Sequence, residues 1–170
     1  VFEVPHDLDH ALLARALTAV CDHHDAFRLR FANDGASWSA RLADGAPQVD
    51  VISHDLSAID VDAQRSHIES ISAAEQSKLD IAQRSLIRAV HFALGKGKPG
   101  RLMLAAHHLA IDGVSWRILL EDLEAAYSAL AQGRPVNLPP HSSSFQAHAA
   151  RLAAYARDPH VTATAPVWLR

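Results

Sequence analysis

The sequence predicts an α/β fold in which helices pack on a mixed sheet in two layers. Three observations predict it. Apolar residues recur at helical spacing over residues 8–24, 60–77 and 114–131. Short apolar or alternating runs at 26–31, 37–42, 49–53, 85–94 and 101–108 read as strands. The two kinds interleave, with no internal repeat and no low-complexity tract.

The chain opens without a methionine, partway into an apolar strand (Val1, Phe2, Val4), so it is expected to be a piece of something longer. Asp7 or Asp9 is placed to cap a helix carrying Leu8, Leu12, Ala16, Leu17 and Val20 on one side and running to about His24. Residues 26–31 then alternate, with Phe27, Leu29 and Phe31 on one face and Arg28 and Arg30 on the other. Asn33-Asp34-Gly35 is a strong turn signal, so residues 37–42 should return as the second strand of a hairpin. Asp44-Gly45-Ala46-Pro47 breaks the chain before a short strand at 49–53. Val61, Ile68 and Ile71 lie among polar residues, as expected of a surface helix over 60–77.

Strands at 85–94 and 101–108 flank the exposed loop Gly95-Lys96-Gly97-Lys98-Pro99-Gly100. The second is apolar on both faces and belongs in the middle of the sheet. The helix over 114–131 should bury Ile118, Leu119, Leu123, Ala126, Tyr127 and Leu130, with Arg117 and Glu121 paired on its wet side. Gly133 stops it, and a connection containing Pro135, Pro139 and Pro140 leads to a last helix over 144–157.

Composition narrows the function classes. With 170 residues, 49% hydrophobic and 21% charged, the chain is one domain or one lobe with a real core. A net charge of -3 without a basic block argues against a nucleic-acid surface. Cys21 is alone, which leaves no disulfide framework and fits a reducing cytoplasm. No apolar run reaches the roughly 20 residues that span a bilayer.

His107-His108-Leu109-Ala110-Ile111-Asp112-Gly113 carries the chemistry. The apolar run at 102–106 delivers two histidines to a strand end, and an aspartate and a glycine follow before a helix. A buried strand that hands an imidazole to a loop holds it rigidly. An unperturbed histidine titrates at about 6.5, so a modest shift makes it a base at neutral pH. The pattern points to proton transfer or hydrogen bonding at a reacting carbonyl. Neighbours on a strand face opposite sides, so one of His107 and His108 faces the site and the other faces packing. Asp112 reads as a helix cap that shapes the loop, with Gly113 relieving the tight turn into the helix. Arg28, opposite the apolar face of the first hairpin strand, is the expected counter-ion of Asp112, a pair that would fix geometry more than add stability.

Other chemistries fit less well. Twelve histidines raise the question of metal, but His107 and His108 diverge, His23 and His24 end a helix, and no cysteine joins them, so no metal site is expected. Gly113-Val114-Ser115-Trp116-Arg117 lacks the second glycine of a hydrolase elbow. Trp116 and Trp38 read as core. The loop at 95–100 is not followed by a helix and is no phosphate cradle.

The string His107-His108-x-x-x-Asp112-Gly113 resembles the HHxxxDG signature of the condensation-domain superfamily of nonribosomal peptide synthetases, related in fold to chloramphenicol acetyltransferase. His23-His24-Asp25-Ala26-Phe27-Arg28-Leu29-Arg30-Phe31 resembles that family's RHExLRTxF element. Leu138-Pro139-Pro140 with Ser144-Phe145 resembles the stretch before the family's next helix, so the similarity covers nearly the whole chain. Within the superfamily, Val114-Ser115-Trp116-Arg117-Ile118-Leu119-Leu120-Glu121-Asp122-Leu123 is similar to the epimerization branch.

The resemblance implies that residues 1–170 are the N-terminal lobe of such a domain, truncated at both ends, with the chloramphenicol-acetyltransferase-like half-fold. It implies conversion of an L-aminoacyl or peptidyl residue on a carrier-protein thioester to the D form by α-proton transfer. His108 is then the general base and acid, His107 packs behind it, and Arg28 pairs with Asp112. Val114, Ser115 and Trp116 become candidates for lining the substrate channel, and amides around Gly113 for steadying an enolate oxygen. The opposing acid or base is implied to be a glutamate on a C-terminal lobe, so this lobe alone should not turn over. It should bind no cofactor itself, because the phosphopantetheine arm of a peptidyl carrier domain delivers the substrate. The implied partners are that carrier and the C-terminal lobe, with no nucleic acid and no membrane. Two other readings stay open: a condensation domain that forms an amide bond, and a non-catalytic module that docks the carrier.

Overall fold

A computed structural model describes residues 1–45, 47–82, 85–140 and 143–169. The Ala46 position of the predicted break at 44–47 and the final Arg170 lie outside the described residues. The chain divides into two compact units, Val1–Leu138 and Pro139–Arg170.

In the first unit, β1 (Phe2–Val4), β4 (Val51–Asp55), β5 (Ile87–Ala93) and β6 (Gly100–Ala106) form one sheet in the order β1-β6-β5-β4. β1 and β5 flank β6 antiparallel, and β4 runs parallel to β5. The sheet is therefore mixed, and β6 sits inside it as its two-sided apolar character requires. β4 and β5 are joined through α2 (Val61–Gln76), the crossover that a parallel pair needs.

Alternation along β5 sorts the core into two clusters. Ile87 and Ala89 pack with Leu13, Leu17, Val20, Leu119, Leu123 and Ala126 from α1 (His10–His23) and α3 (Ser115–Ala131). Val90 and Phe92 point the other way and meet Ile68 and Ile71 of α2. Helices thus cover both faces, so the layering goes one step beyond the two layers expected from sequence. Ala16, Leu17, Val20 and Cys21 are fully buried, and each large aliphatic side chain among them stabilises the fold by roughly 1.5–3 kcal/mol.

Local signals explain the element ends. Asp9 caps α1 by accepting from the amides of Ala11 and Leu12 at 2.9 and 3.0 Å. Asp60 caps α2 through the Asp62 amide. At the far end of α3 the Gly133 amide donates to Leu130 and the Arg134 amide to Ala129, with Gly133 at φ 66°. That is a Schellman stop, and it needs the left-handed conformation glycine adopts freely. Ile118, expected inside, is 43% exposed, whereas Asp122 is buried.

The expected strand over 26–31 starts later. Residues Asp25–Arg28 form a single 3₁₀ turn, and β2 (Leu29–Asn33) pairs with β3 (Trp38–Leu42) as a separate two-stranded sheet. The alternating pattern concealed this, because Phe27 and Leu29 are both buried in either geometry.

In the second unit, Ser144 caps α4 (Phe145–Tyr155) by accepting from the Ala147 amide at 3.0 Å. Two short helices follow, α5 (Pro159–Thr162) and α6 (Ala165–Trp168), where sequence periodicity had shown nothing. Four-residue helices are too short to display a period. Among the described residues, no helix is long and apolar enough to cross a membrane.

Candidate active site around His108

β6 ends at Ala106, opposite Ile87 where β5 begins, so the ladder runs out before the histidines. The His107 amide still donates to the Leu86 carbonyl at 2.8 Å, and the His107 carbonyl accepts from Ala110 at 2.9 Å. The two histidines therefore lie in a turn and not on the strand. Their surroundings differ. The His107 ring folds back so that Nδ1 accepts from the Leu109 amide at 3.2 Å, leaving it half-buried. His108 is exposed, and among the described residues no hydrogen bond occupies its ring.

Asp112 behaves as the cap the sequence suggested. Its Oδ1 accepts from the Ser115 amide at 2.8 Å and from the Ser115 hydroxyl at 2.7 Å. These two bonds, with lesser help from the Val114 amide and from the charge on His108, hold its carboxyl below the usual carboxylate range.

Two expectations around it fail. Asp112 forms no ion pair with Arg28; among the described residues, the bonds its side chain makes are to Ser115. Ser115 offers an amide and a hydroxyl three residues away, and Arg28 ends a 3₁₀ turn instead of standing on a strand. The Arg28 Nε is buried and has no hydrogen-bond partner among the described residues. Gly113 relieves no crowding either, since a Cβ there would meet nothing within 4 Å and its φ is not positive.

The channel candidates separate. Val114 is 72% exposed, and Leu109 and Ile118 near it in sequence are exposed as well. Ser115 has its hydroxyl committed to Asp112. Trp116 packs against the main core cluster, as its core reading expected, while Trp38 is 63% exposed.

Sequence reasoning missed Asp122. It is buried on α3, and its Oδ2 lies 2.7 Å from His24 Nε2. The signal was an acidic residue sharing the inward arc of Leu119, Leu123 and Ala126. With His23 and His24 it makes the one metal-type cluster among the described residues. That cluster lies apart from His108 in sequence and shares no residue with its turn.

A family model for the condensation domain matches residues 1–170. The chain belongs to the condensation-domain family. This condensation domain is 40% identical over 168 residues to one protein of the linear gramicidin synthase of Brevibacillus parabrevis, covering 98% of the chain and 2% of that protein. A second protein of the same synthase is 36% identical over 170 residues, covering 100% of the chain and 3% of that protein. Among solved structures, the epimerization domain from the third module of tyrocidine synthetase B superposes with a TM-score of 0.86 at 30% identity, over 98% of the chain and 36% of that one. The starter condensation domain of rhizomide synthetase superposes with a TM-score of 0.79 at 21% identity, over 98% and 41%, and shows the shared fold. The chain thus spans a few per cent of its synthase relatives and about a third of the epimerization domain.

Proposed function

We propose that this condensation-family domain is the N-terminal half of an epimerization domain, acting on an aminoacyl or peptidyl thioester carried by a peptidyl carrier domain. The observation that carries the reading is the exposed His108, without a hydrogen bond among the described residues, in a chain 98% of which superposes on an epimerization domain. The continuation Val114-Ser115-Trp116-Arg117 beyond Asp112-Gly113 agrees with it.

Inverting an α-carbon requires removing its proton from one face and returning one to the other. A neutral imidazole at His108 takes the proton, and the electron pair of the broken C–H bond moves into the thioester carbonyl as an enolate. A second acid on the opposite face, from the other half of the domain, then protonates carbon, because one fixed base reaches one face. Asp112 and Ser115 hold the start of α3, and with it the loop that presents His108. The phosphopantetheine arm of the carrier brings the substrate, so the lobe need only position the thioester beside the ring.

The complete domain, given an L-aminoacyl carrier in deuterated water, tests this. Solvent deuterium should enter the α-carbon. Amide-bond formation with an acceptor carrier and no α-exchange would replace the reading with condensation, which the fold shared with the rhizomide starter domain also accommodates. Full α-exchange by His108→Ala would remove the ring from the reaction, and carrier binding with neither α-exchange nor amide formation would leave only a docking module.

A further inference from the structure

We propose that His23, His24 and Asp122 bind a divalent transition-metal ion where the end of α1 meets α3. Each residue offers one ligand atom, and the three atoms lie within 4.8 Å of one another. Zinc holds imidazole nitrogen and carboxylate oxygen at about 2.0–2.2 Å in a tetrahedron whose donors stand about 3.3–3.6 Å apart, so binding draws the widest pair together by side-chain rotation and spreads His24 from Asp122. Consecutive residues in an unbroken helix project about 100° apart and cannot share an ion. Here α1 ends at this pair, with the His24 amide still donating to the Val20 carbonyl and the chain turning away after it. His23 is the last residue of α1, and His24 leaves it with φ -92° and ψ 98°. The two rings stand edge to face, with centroids 4.9 Å apart and planes at 85°.

The third donor comes from the fold. Asp122, 98 residues along the chain, places Oδ2 at 2.7 Å from His24 Nε2. Its side chain is 11% exposed and that of His24 is 26% exposed, which leaves solvent a path to a fourth position. Without an ion a proton bridges His24 and Asp122. The ion takes its place: the Nε2–H bond breaks, the nitrogen lone pair binds the metal, and the proton leaves to solvent. The carboxylate keeps its charge and ligates directly. Two imidazoles beside one carboxylate select zinc, cobalt or nickel over calcium and magnesium, which take all-oxygen shells.

Cobalt titration of the metal-stripped chain tests the site. One Co²⁺ should bind per chain with a visible ligand-field band. His24→Ala and Asp122→Asn should each weaken binding at least about tenfold, and His67→Ala, at an exposed position on α2, should leave it unchanged. Where a variant does not fold, the ring resonances of the unaltered protein decide, and Zn²⁺ must move those of His23 and His24. Absence of the band, a band that survives Asp122→Asn at full affinity, or Zn²⁺ shifts confined to other histidines would overturn the proposal.

Discussion

One carboxylate oxygen of Asp112 accepts from both the amide and the hydroxyl of Ser115, at 2.8 and 2.7 Å. The residue directly before α3, Val114, is helical in backbone and has no side-chain bond to give. Asp112 therefore caps the helix from two residues further out, and in doing so closes the loop that carries His108.

A cap and an ionic partner respond differently to amide substitution. Asp112→Asn keeps an acceptor oxygen in place, and asparagine is among the best capping residues. In the complete domain this variant should exchange the substrate α-proton within a few-fold of the parent. Asp112→Ala removes the acceptor, loosens the loop and should slow exchange at least about tenfold through misplacement of the ring. Equal losses in the two variants, read by deuterium incorporation, would instead assign Asp112 an ionic role such as the pairing with Arg28.

His108 is exposed and makes no hydrogen bond among the described residues, so its removal should not disturb packing. His108→Ala in the complete domain is expected to unfold at the parental temperature while α-exchange falls by about a hundredfold or more, the scale of a lost general base. His107→Ala should show the opposite balance. It loses the Nδ1 acceptor of the Leu109 amide, so thermal stability should drop first.

The difference between those two histidines was only half legible in the sequence. Strand alternation cannot separate them, since β6 stops at Ala106 and both lie in the turn beyond it, where the local bond of His107 distinguishes the two. Elements with a long period, α1, α2 and α3, lie close to where their apolar spacing put them. What stayed hidden depends on contacts distant in sequence. Asp122 looks like a solvated acid beside Glu121 until α1 brings His24 against it. Arg28 looks like an outward strand residue until the chain turns into a 3₁₀ coil and buries its Nε.

Glu75 illustrates a second buried charge with a clear purpose. It is 5% exposed at the end of α2, and accepts from Lys78 at 2.6 Å and from Arg88 of β5, at 3.1 Å through Nε and more closely through an Nη. The Lys78 bond, followed by the Arg88 bond and charge, holds its carboxyl below the usual range against the cost of burial. Glu75→Gln should cost about 2–3 kcal/mol in urea denaturation, below the full value for a broken buried pair because Lys78 is half in water. With the folded value depressed, this contribution is complete above the unfolded carboxylate range and is lost as pH falls through the folded one. Glu75→Gln should therefore flatten the acid limb of the stability profile.

A further pH dependence is built on His91. The residue is 3% exposed on β5, with Nδ1 at 3.0 Å from His10 Nε2 and 3.5 Å from the Ser53 hydroxyl, and with Nε2 buried and without a partner among the described residues. Burial first, then the charge that His10 can carry, pushes its titration below the ordinary value. The folded state therefore takes up its proton later than the unfolded chain does. Between about pH 6.5 and the lower folded value, the unfolded chain binds more protons, so stability falls as the solution is acidified through that window. His91→Gln should lose this part of the slope in denaturant midpoints measured across it, and an unchanged slope would dismiss the assignment. Gly100 completes the arrangement, because a Cβ there would collide with the His91 ring and crowd the Phe92 carbonyl at 3.1 Å. Gly100→Ala should destabilise by about 1–3 kcal/mol, the scale of an overpacked core. Combining it with His91→Ala, which empties the space, should recover part of that loss, a coupling that two independent defects would not show.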